Sequence, residues 1–250
     1  MIKITDANDK RIEEFTHLKE STLLSRNLAL AESEKIYLKL IHHNFPVKKI
    51  LCLPDFAEKY NLSGDNIFVA DRSIFENISG FKTEFNVISL FERPKFTSLD
   101  KLDNKIMILN GLTSPENVGA IVRTAAAFNV NGLIYDKKSC SPYLRRCIRV
   151  SMGNIFQLKV FESHELESDL NILKTLGYTI HSTANISGSL DYTNYSYPQK
   201  SALIVGSEGH GIDQNILNSS DVILKIPINE EVAHLNASNA ASIFLSRFNL

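Results

Sequence analysis

The first hundred residues alternate between stretches with helical spacing of apolar positions and short apolar runs. Residues 11–24 carry Ile12, Phe15 and Leu18 about one helical turn apart, and residues 33–43 repeat such a spacing. Apolar runs typical of strands lie at residues 28–31, 49–53, 66–70 and 86–91. Strands separated by helical segments predict a small α/β unit.

A second alternating series follows residues 92–101, a polar segment with a proline that is the predicted linker. Its apolar runs predict strands at residues 106–109, 132–135, 156–161, 178–181, 202–205 and 222–225. Helical patterns lie between them at residues 114–128, 142–151, 164–176, 214–217 and 236–248. This alternation predicts a mostly parallel sheet covered on both faces. We therefore expect two domains, at residues 1–98 and 104–250.

Composition limits the class of protein. Of 250 residues, 44% are hydrophobic and 22% are charged, which is typical of a globular chain. No apolar run approaches the ~18–20 residues of a membrane span, and the first residues lack the pattern of a signal peptide. Cys52, Cys140 and Cys147 form no CxxC motif and fit a reducing compartment. We expect a cytoplasmic protein without a membrane segment or a metal site.

The net charge of −1 gives no global sign of nucleic-acid binding. Residues 137–149 nevertheless concentrate cations without a carboxylate among them: Lys137, Lys138, Arg145, Arg146 and Arg149. Such a cluster can contact phosphates. It is equally typical of a solvated helix face, and the residues alone leave both interpretations open.

The first segment with candidate chemistry is a strand, turn and helix over residues 109–124. Ser114 can cap the helix, and Pro115 suits its first position. Gly119 costs about 1 kcal/mol relative to alanine inside a helix, and it shares a face with Arg123. The missing side chain leaves space for a group to approach the guanidinium. Close helix packing beside a surface arginine is the alternative.

The second segment, residues 202–212, runs from an apolar strand into a loop with three glycines. Glycines allow a backbone to approach a ligand closely. The loop lacks the GK[ST] of a P-loop and the G-x-G-x-x-G order of a dinucleotide site, which argues against a nicotinamide-dependent oxidoreductase. Glu208 lies among these glycines and is a candidate ligand contact.

The third segment combines a strand that ends at Pro227 with a helix of small residues that begins near Asn236. Small residues permit tight contact between helices. Asn236 can cap this helix, and capping is compatible with ligand contact.

Together, in this order and spacing, the three segments resemble the motifs of the SpoU-type (TrmH-like) branch of the SPOUT superfamily of RNA methyltransferases. The matching residues, motif by motif, are Asn117, Gly119 and Arg123; Gly206, Glu208 and Gly209; and Ile226, Pro227, Leu235 and Asn236. The resemblance extends from about Lys105 to the C-terminus, and residues 149–153 resemble a weaker Ser-x-Gly motif. Residues 11–12 and 30–35 resemble the opening of a ribosomal-protein-like RNA-binding domain.

The resemblance implies an α/β catalytic domain with a deep trefoil knot, in which helices flank a parallel sheet, and a small N-terminal α/β RNA-binding domain. It implies a homodimer that transfers the methyl group of S-adenosylmethionine to a ribose 2′-hydroxyl of tRNA or rRNA. It assigns catalysis to Arg123, Asn117, Glu208 and Asn236. It assigns cofactor contacts to Val205, Gly206, Gly211, Ile226, Ile228 and Leu235. The cations of residues 137–149 become candidate RNA contacts.

One residue departs from the family pattern, because His234 precedes Leu235 where relatives usually have serine. Histidine can take the place of serine as a hydrogen-bonding group, and it can titrate near neutral pH. The change also raises the alternative of an RNA-binding protein that has lost methyl transfer. The sequence identifies neither the RNA nor the nucleotide.

Overall fold

The structure is a computed structural model that describes residues 1–16, 18–79, 85–207, 209–229, 231–232 and 234–248. Its contacts divide the chain into two compact units. Unit 1 comprises Met1–Pro94 and Tyr143–Phe156, and unit 2 comprises Lys95–Pro142 and Gln157–Leu250. The first division falls inside the predicted linker. Residues 143–156 cluster with the N-terminal unit, whereas the sequence analysis assigns them to the C-terminal domain.

Unit 1 is built on a mixed five-stranded sheet. Its strands are β1 (Ile2–Ile4), β2 (Leu28–Glu32), β3 (Val47–Cys52), β4 (Ile67–Ala70) and β5 (Val87–Glu92). Its helices are α1 (Glu13–Thr16), α2 (Glu20–Ser25), α3 (Glu34–His42), α4 (Pro54–Lys59), α5 (Arg72–Ser79) and α7 (Arg145–Val150). The strand order is β1-β4-β3-β5-β2, in which β5 runs antiparallel to β2 and β3.

The predicted helix over residues 11–24 is divided in the structure. A 3₁₀ turn at Lys10–Ile12, α1 and α2 replace it, and Lys19 has an extended backbone immediately before α2. Ile12, Phe15 and Leu23 are buried in one core cluster. The apolar spacing therefore identified the buried side chains correctly, whereas the prediction of one continuous helix was wrong. The sequence analysis also missed β1, α4 and α5.

The strand predicted to begin at Phe156 begins later, at Lys159, because Phe156 belongs to the core of unit 1. This residue lies in a 3₁₀ turn, Asn154–Gln157. Its ring centroid lies 4.9 Å from that of Phe45 and 5.4 Å from that of Phe91. Aromatic packing thus decides the local structure here.

Glu32 fixes residues 143–156 to the sheet of unit 1. Its side chain is 0% exposed and forms ion pairs with Arg145 and Arg149, at 3.0 Å for Arg149 Nη1. Lys39 also donates a hydrogen bond to Asn154. A buried carboxylate needs such partners because burial of an unpaired charge is costly.

Unit 2 contains a seven-stranded sheet, and every strand pairing in it is parallel. Its strands are β6 (Lys105–Asn110), β7 (Gly132–Asp136), β8 (Lys159–Ser163), β9 (Thr179–Thr183), β10 (Leu190–Asp191), β11 (Ser201–Gly206) and β12 (Val222–Lys225). Its helices are α6 (Pro115–Ala127), α8 (Leu166–Thr175), α9 (Gln214–Asn218) and α10 (Ala237–Phe248). Further 3₁₀ turns lie at Leu99–Lys101 and Tyr192–Asn194. The order β10-β12-β9-β11-β6-β7-β8 confirms the predicted parallel sheet.

Alternating residues of these strands face opposite sides of the sheet. Ile106, Ile108 and Ile204 share a core cluster with Leu170 of α8 and Ile216 of α9. Helix α10 contacts β11 and packs against α6. Within the described part of the chain, no helix has both the length and the apolar character needed to cross a membrane.

Replacement of Glu32 by Gln should lower the free energy of unfolding by on the order of 3 kcal/mol, because it leaves paired arginines without their buried countercharge. Urea denaturation followed by circular dichroism would measure this loss. As a control, Lys48→Gln breaks an ion pair with Glu92 in which the side chains are 48% and 44% exposed. That change should cost less than about 1 kcal/mol. Equal losses in the two variants would contradict the structural role of Glu32.

Candidate active site

Helix α6 begins with the predicted cap and carries the first motif. The Ser114 hydroxyl accepts a hydrogen bond from the Asn117 backbone N–H at 3.3 Å, and Pro115 occupies the first turn. Asn117 and Gly119 are buried on this helix, and Arg123 is exposed. The predicted cap is therefore confirmed, and Gly119 is buried within the helix.

Asn236 joins the third motif to the first. Its Oδ1 accepts hydrogen bonds from the backbone N–H groups of Ser238 at 3.0 Å and Asn239 at 3.3 Å, which caps α10. Its Nδ2 donates to Oδ1 of Asn117 at 3.0 Å. One asparagine thus caps the N-terminus of α10 and also holds the start of α10 against α6.

The glycine loop after β11 closes tightly on itself. The Gly211 N–H donates to the Ser207 carbonyl at 2.9 Å, and Gly211 has a φ of +67° that favours glycine. A Cβ on Gly206 would lie 2.3 Å from the carbonyl carbon and oxygen of Gly211, so no side chain fits there. Glu208, the loop's candidate catalytic residue, lies outside the described residues.

A cavity of about 340 Å³ lies where β9, β11 and β12 end. The described residues that line it are Thr183, Ala184, Asn185, Val205, Gly206, Ser207, Gly211, Ile212, Leu224, Lys225, Ile226, Ile228, His234, Leu235, Ala237, Ala240 and Phe244. Ligands commonly bind at this edge of a parallel sheet. A mainly apolar wall with a few polar groups is typical of a small-molecule site.

All six residues predicted to contact the cofactor line this one cavity. The sequence analysis missed Thr183, Ala184 and Asn185, which follow β9. Only their position in the sheet could have identified them. Strand β9 pairs in parallel with both β11 and β12, so it must end beside them. His234, the residue that departs from the family pattern, also lines the wall.

Of the predicted catalytic residues, Asn117, Arg123 and Asn236 are described and are not among those that line the cavity. Asn117 and Asn236 lie next to it through α10, whose Ala237 is a lining residue. Arg123 lies further along α6 and is exposed. In the described ranges, no group of three or more His, Cys, Asp or Glu side chains could hold a metal ion.

Four of the five cations of residues 137–149 separate into two pairs. Arg145 and Arg149 pair with buried Glu32, so for these two the structure favours a structural role. Lys137 pairs with Glu165 at 2.8 Å, and Lys138 pairs with Asp213 at 2.7 Å. The hydrogen bonds from Lys138 and from Asn110 lower the pKa of the Asp213 carboxyl below its usual range. Arg146 lies on α7 with the other arginines, and its role stays a prediction.

Comparison with known proteins agrees with this geometry. The sequence profile of the SpoU rRNA methylase family matches residues 104–246. An uncharacterized tRNA/rRNA methyltransferase of Mycoplasma genitalium is 30% identical over 222 residues, which cover 86% of this chain and 90% of that protein.

Two solved structures share the fold. An AdoMet-bound rRNA methyltransferase from Sinorhizobium meliloti is 19% identical with a TM-score of 0.88, over 98% of this chain and 96% of that one. An RNA 2′-O ribose methyltransferase is 22% identical with a TM-score of 0.79, over 99% and 98%.

The family profile spans more than half of the chain, and the Mycoplasma relative matches across both units. The three motifs lie within the matched residues, and so do the described residues that line the cavity. This chain belongs to the SpoU rRNA methylase family, the SpoU/TrmH branch of the SPOUT RNA methyltransferases.

Proposed function

We propose that this chain methylates a ribose 2′-hydroxyl of tRNA or rRNA, with S-adenosylmethionine as the methyl donor. The observation that carries this proposal is the convergence of six residues from the second and third motifs on one cavity. The names of the related proteins support the RNA substrate, and one of them specifies the ribose 2′-oxygen.

The cavity fits the proposed cofactor. Its volume of about 340 Å³ falls in the usual range for small-molecule sites, and the related Sinorhizobium structure carries AdoMet. Ile226, Ile228 and Leu235 would cover the apolar parts of the cofactor, and the backbone of Gly206 and Gly211 would approach it closely. When bound, S-adenosylmethionine supplies a methyl group made electrophilic by its sulfonium.

The side chains near the cavity would align the RNA. A guanidinium remains protonated at physiological pH and is a poor base. Arg123 would instead bind the phosphate beside the target ribose through paired hydrogen bonds, or stabilise the developing alkoxide. Asn117 and Asn236, held together at 3.0 Å, would orient the ribose, and Glu208 would assist. Alignment of this kind can lower a barrier by up to about 7–11 kcal/mol.

We also propose the remaining features of the family fold. The trefoil knot is supported by the strand order, because β12 follows β11 in sequence yet lies on the far side of β9. Unit 1 would bind the RNA substrate as an accessory domain. Burial raises the pKa of the Cys52 thiol to about 12, and such a buried thiol suits the reducing cytoplasm.

Substitution of Arg123 by Ala should reduce methyl transfer by about 10²- to 10³-fold, because a positioned charge would be lost at the reacting oxygen. Purified protein would be incubated with methyl-labelled S-adenosylmethionine and total RNA from cells that lack this gene. Alkaline hydrolysis would follow, since a 2′-O-methyl group blocks cleavage at its own nucleotide. Label should appear in an alkali-resistant dinucleotide and disappear with Arg123→Ala.

Arg247→Ala is the matched control, because Arg247 is an exposed arginine near the end of α10 with no proposed role. It should leave the labelling unchanged. Label in alkali-sensitive mononucleotides would contradict the 2′-hydroxyl as the acceptor. An unlabelled RNA that the protein still binds would favour the non-catalytic alternative, which His234→Ser would then test.

Replacement of Gly206 by Ala should weaken S-adenosylmethionine binding at least tenfold, because its Cβ would lie 2.3 Å from Gly211 backbone atoms and displace the loop. Isothermal titration calorimetry would measure the affinity. Gly209→Ala is a control in the same loop, since nothing lies within 4 Å of a Cβ at Gly209. Equal losses for the two alanines would show that the loop's tight closure does not determine affinity.

A homodimer through the catalytic domain is the proposed assembly. Helices α6 and α10 pack side by side, and Phe128 at the end of α6 leaves 38% of its surface exposed. Size-exclusion chromatography with light scattering should give twice the chain mass of 28.1 kDa across a tenfold dilution. A mass of one chain throughout would refute the dimer.

A further inference from the structure

Asn110, the last residue of β6, lies 2% exposed beside the glycine loop, outside the motifs of the resemblance. Its Nδ2 donates to Oδ2 of Asp136 at 2.8 Å and to Oδ2 of Asp213 at 3.1 Å. Its Oδ1 accepts from the backbone N–H of Asp213 at 2.8 Å. Both amide N–H groups and the amide oxygen therefore have partners.

Asp136 gives this amide a fixed support at the end of β7. It is 5% exposed and accepts hydrogen bonds from the Gly111 N–H at 3.1 Å and the Ser139 N–H at 2.8 Å. The Ser139 hydroxyl adds a bond of 2.6 Å. A carboxylate with this many donors holds a defined orientation. The ends of β6 and β7 are thereby fixed to each other.

Both ends of the glycine loop meet Asn110. Gly206, where the loop begins, pairs with Asn110 in the sheet. Asp213, where the loop ends, binds the Asn110 side chain. Between these ends lie Ser207, Gly211 and Ile212, which line the cavity. Asn110 is also followed by the turn that leads into α6.

We propose that Asn110 is a positioning residue, which holds the glycine loop in the shape that binds S-adenosylmethionine and sets the loop against the start of α6. This inference rests on the proposed function for the identity of the ligand. The side chain acts through Gly206 and Asp213, since it is not among the residues that line the cavity.

An amide is the side chain that this position requires. It donates to two carboxylates and accepts from an N–H at the same time. In Asn110→Asp, a third carboxylate would face Asp136 and Asp213, with the Lys138 ammonium and the His210 imidazole nearby. Mutual repulsion would raise the pKa of the new carboxyl group. Once protonated, that group regains one donor, so the damage should decrease as the pH falls.

The test uses Asn110→Asp in the full chain, with S-adenosylmethionine affinity measured by calorimetry. At about pH 8, the variant should bind about tenfold or more weakly than the wild type, as expected when hydrogen bonds to charged partners are lost. At about pH 6, the ratio of the two affinities should be closer to one than at about pH 8, because the protonated carboxyl group regains one of the two lost donors. With saturating S-adenosylmethionine, the turnover of the variant should match that of the wild type. The change should therefore appear in the KM for S-adenosylmethionine and not in kcat.

Asn215→Asp is the matched control, because it makes the same chemical change two residues after Asp213. Asn215 is exposed, and its amide donates to Glu167 on α8. This variant should bind within about twofold of the wild type at both pH values. An Asn110→Asp protein with wild-type affinity, or with the same loss at both pH values, would overturn the proposal.

Hydrogen exchange separates this proposal from the proposed function. In Asn110→Asp without any ligand, the N–H groups of Gly211 and Asp213 should exchange faster than in the wild type at about pH 8. Unchanged exchange would refute the positioning role. If the variant exchanges faster but the wild type binds no S-adenosylmethionine, the proposed cofactor is refuted. The role of Asn110 in shaping the loop is then retained.

Discussion

The candidate site depends on one constraint of a parallel sheet. All strands run in the same direction, so their C-terminal ends lie together at one end of the sheet. β9, β11 and β12 are neighbours in unit 2, so the chain segments that follow Thr183, Gly206 and Lys225 emerge together. Residues far apart in sequence thus share one cavity. The site is a consequence of strand order, and its chemistry is supplied by the loops.

Polar side chains near this cavity form hydrogen bonds with one another. These bonds keep the site rigid without the free-energy cost of buried groups that lack partners. Asn236 caps α10 and also binds Asn117, whereas Asn110 binds two carboxylates and a backbone N–H. A buried amide with unmet hydrogen bonds would destabilise the fold. The Asn236–Asn117 and Asn110–Asp213 bonds join segments that are distant in sequence, so a change of either asparagine would affect two elements.

Sequence patterns predicted the parts of the fold that local chemistry decides. Apolar runs found the strands of the parallel sheet that surround the site, and Ser114 and Asn236 were identified as helix caps. The patterns failed where tertiary contacts prevail. Phe156 packs with Phe45 and Phe91 and does not begin a strand. The residues after β9 carry no motif, and only the sheet order brings them to the cavity.

The cations of residues 137–149 show why composition alone could not assign their role. Arg145 and Arg149 are bound to Glu32, which is 0% exposed, so exchange for an RNA phosphate would leave a buried carboxylate unpaired. Lys137 and Lys138 are 59% and 58% exposed in pairs of little net stability. Phosphates can displace such pairs at small cost. The burial of the carboxylate partner therefore separates a structural arginine from a lysine in an exposed ion pair.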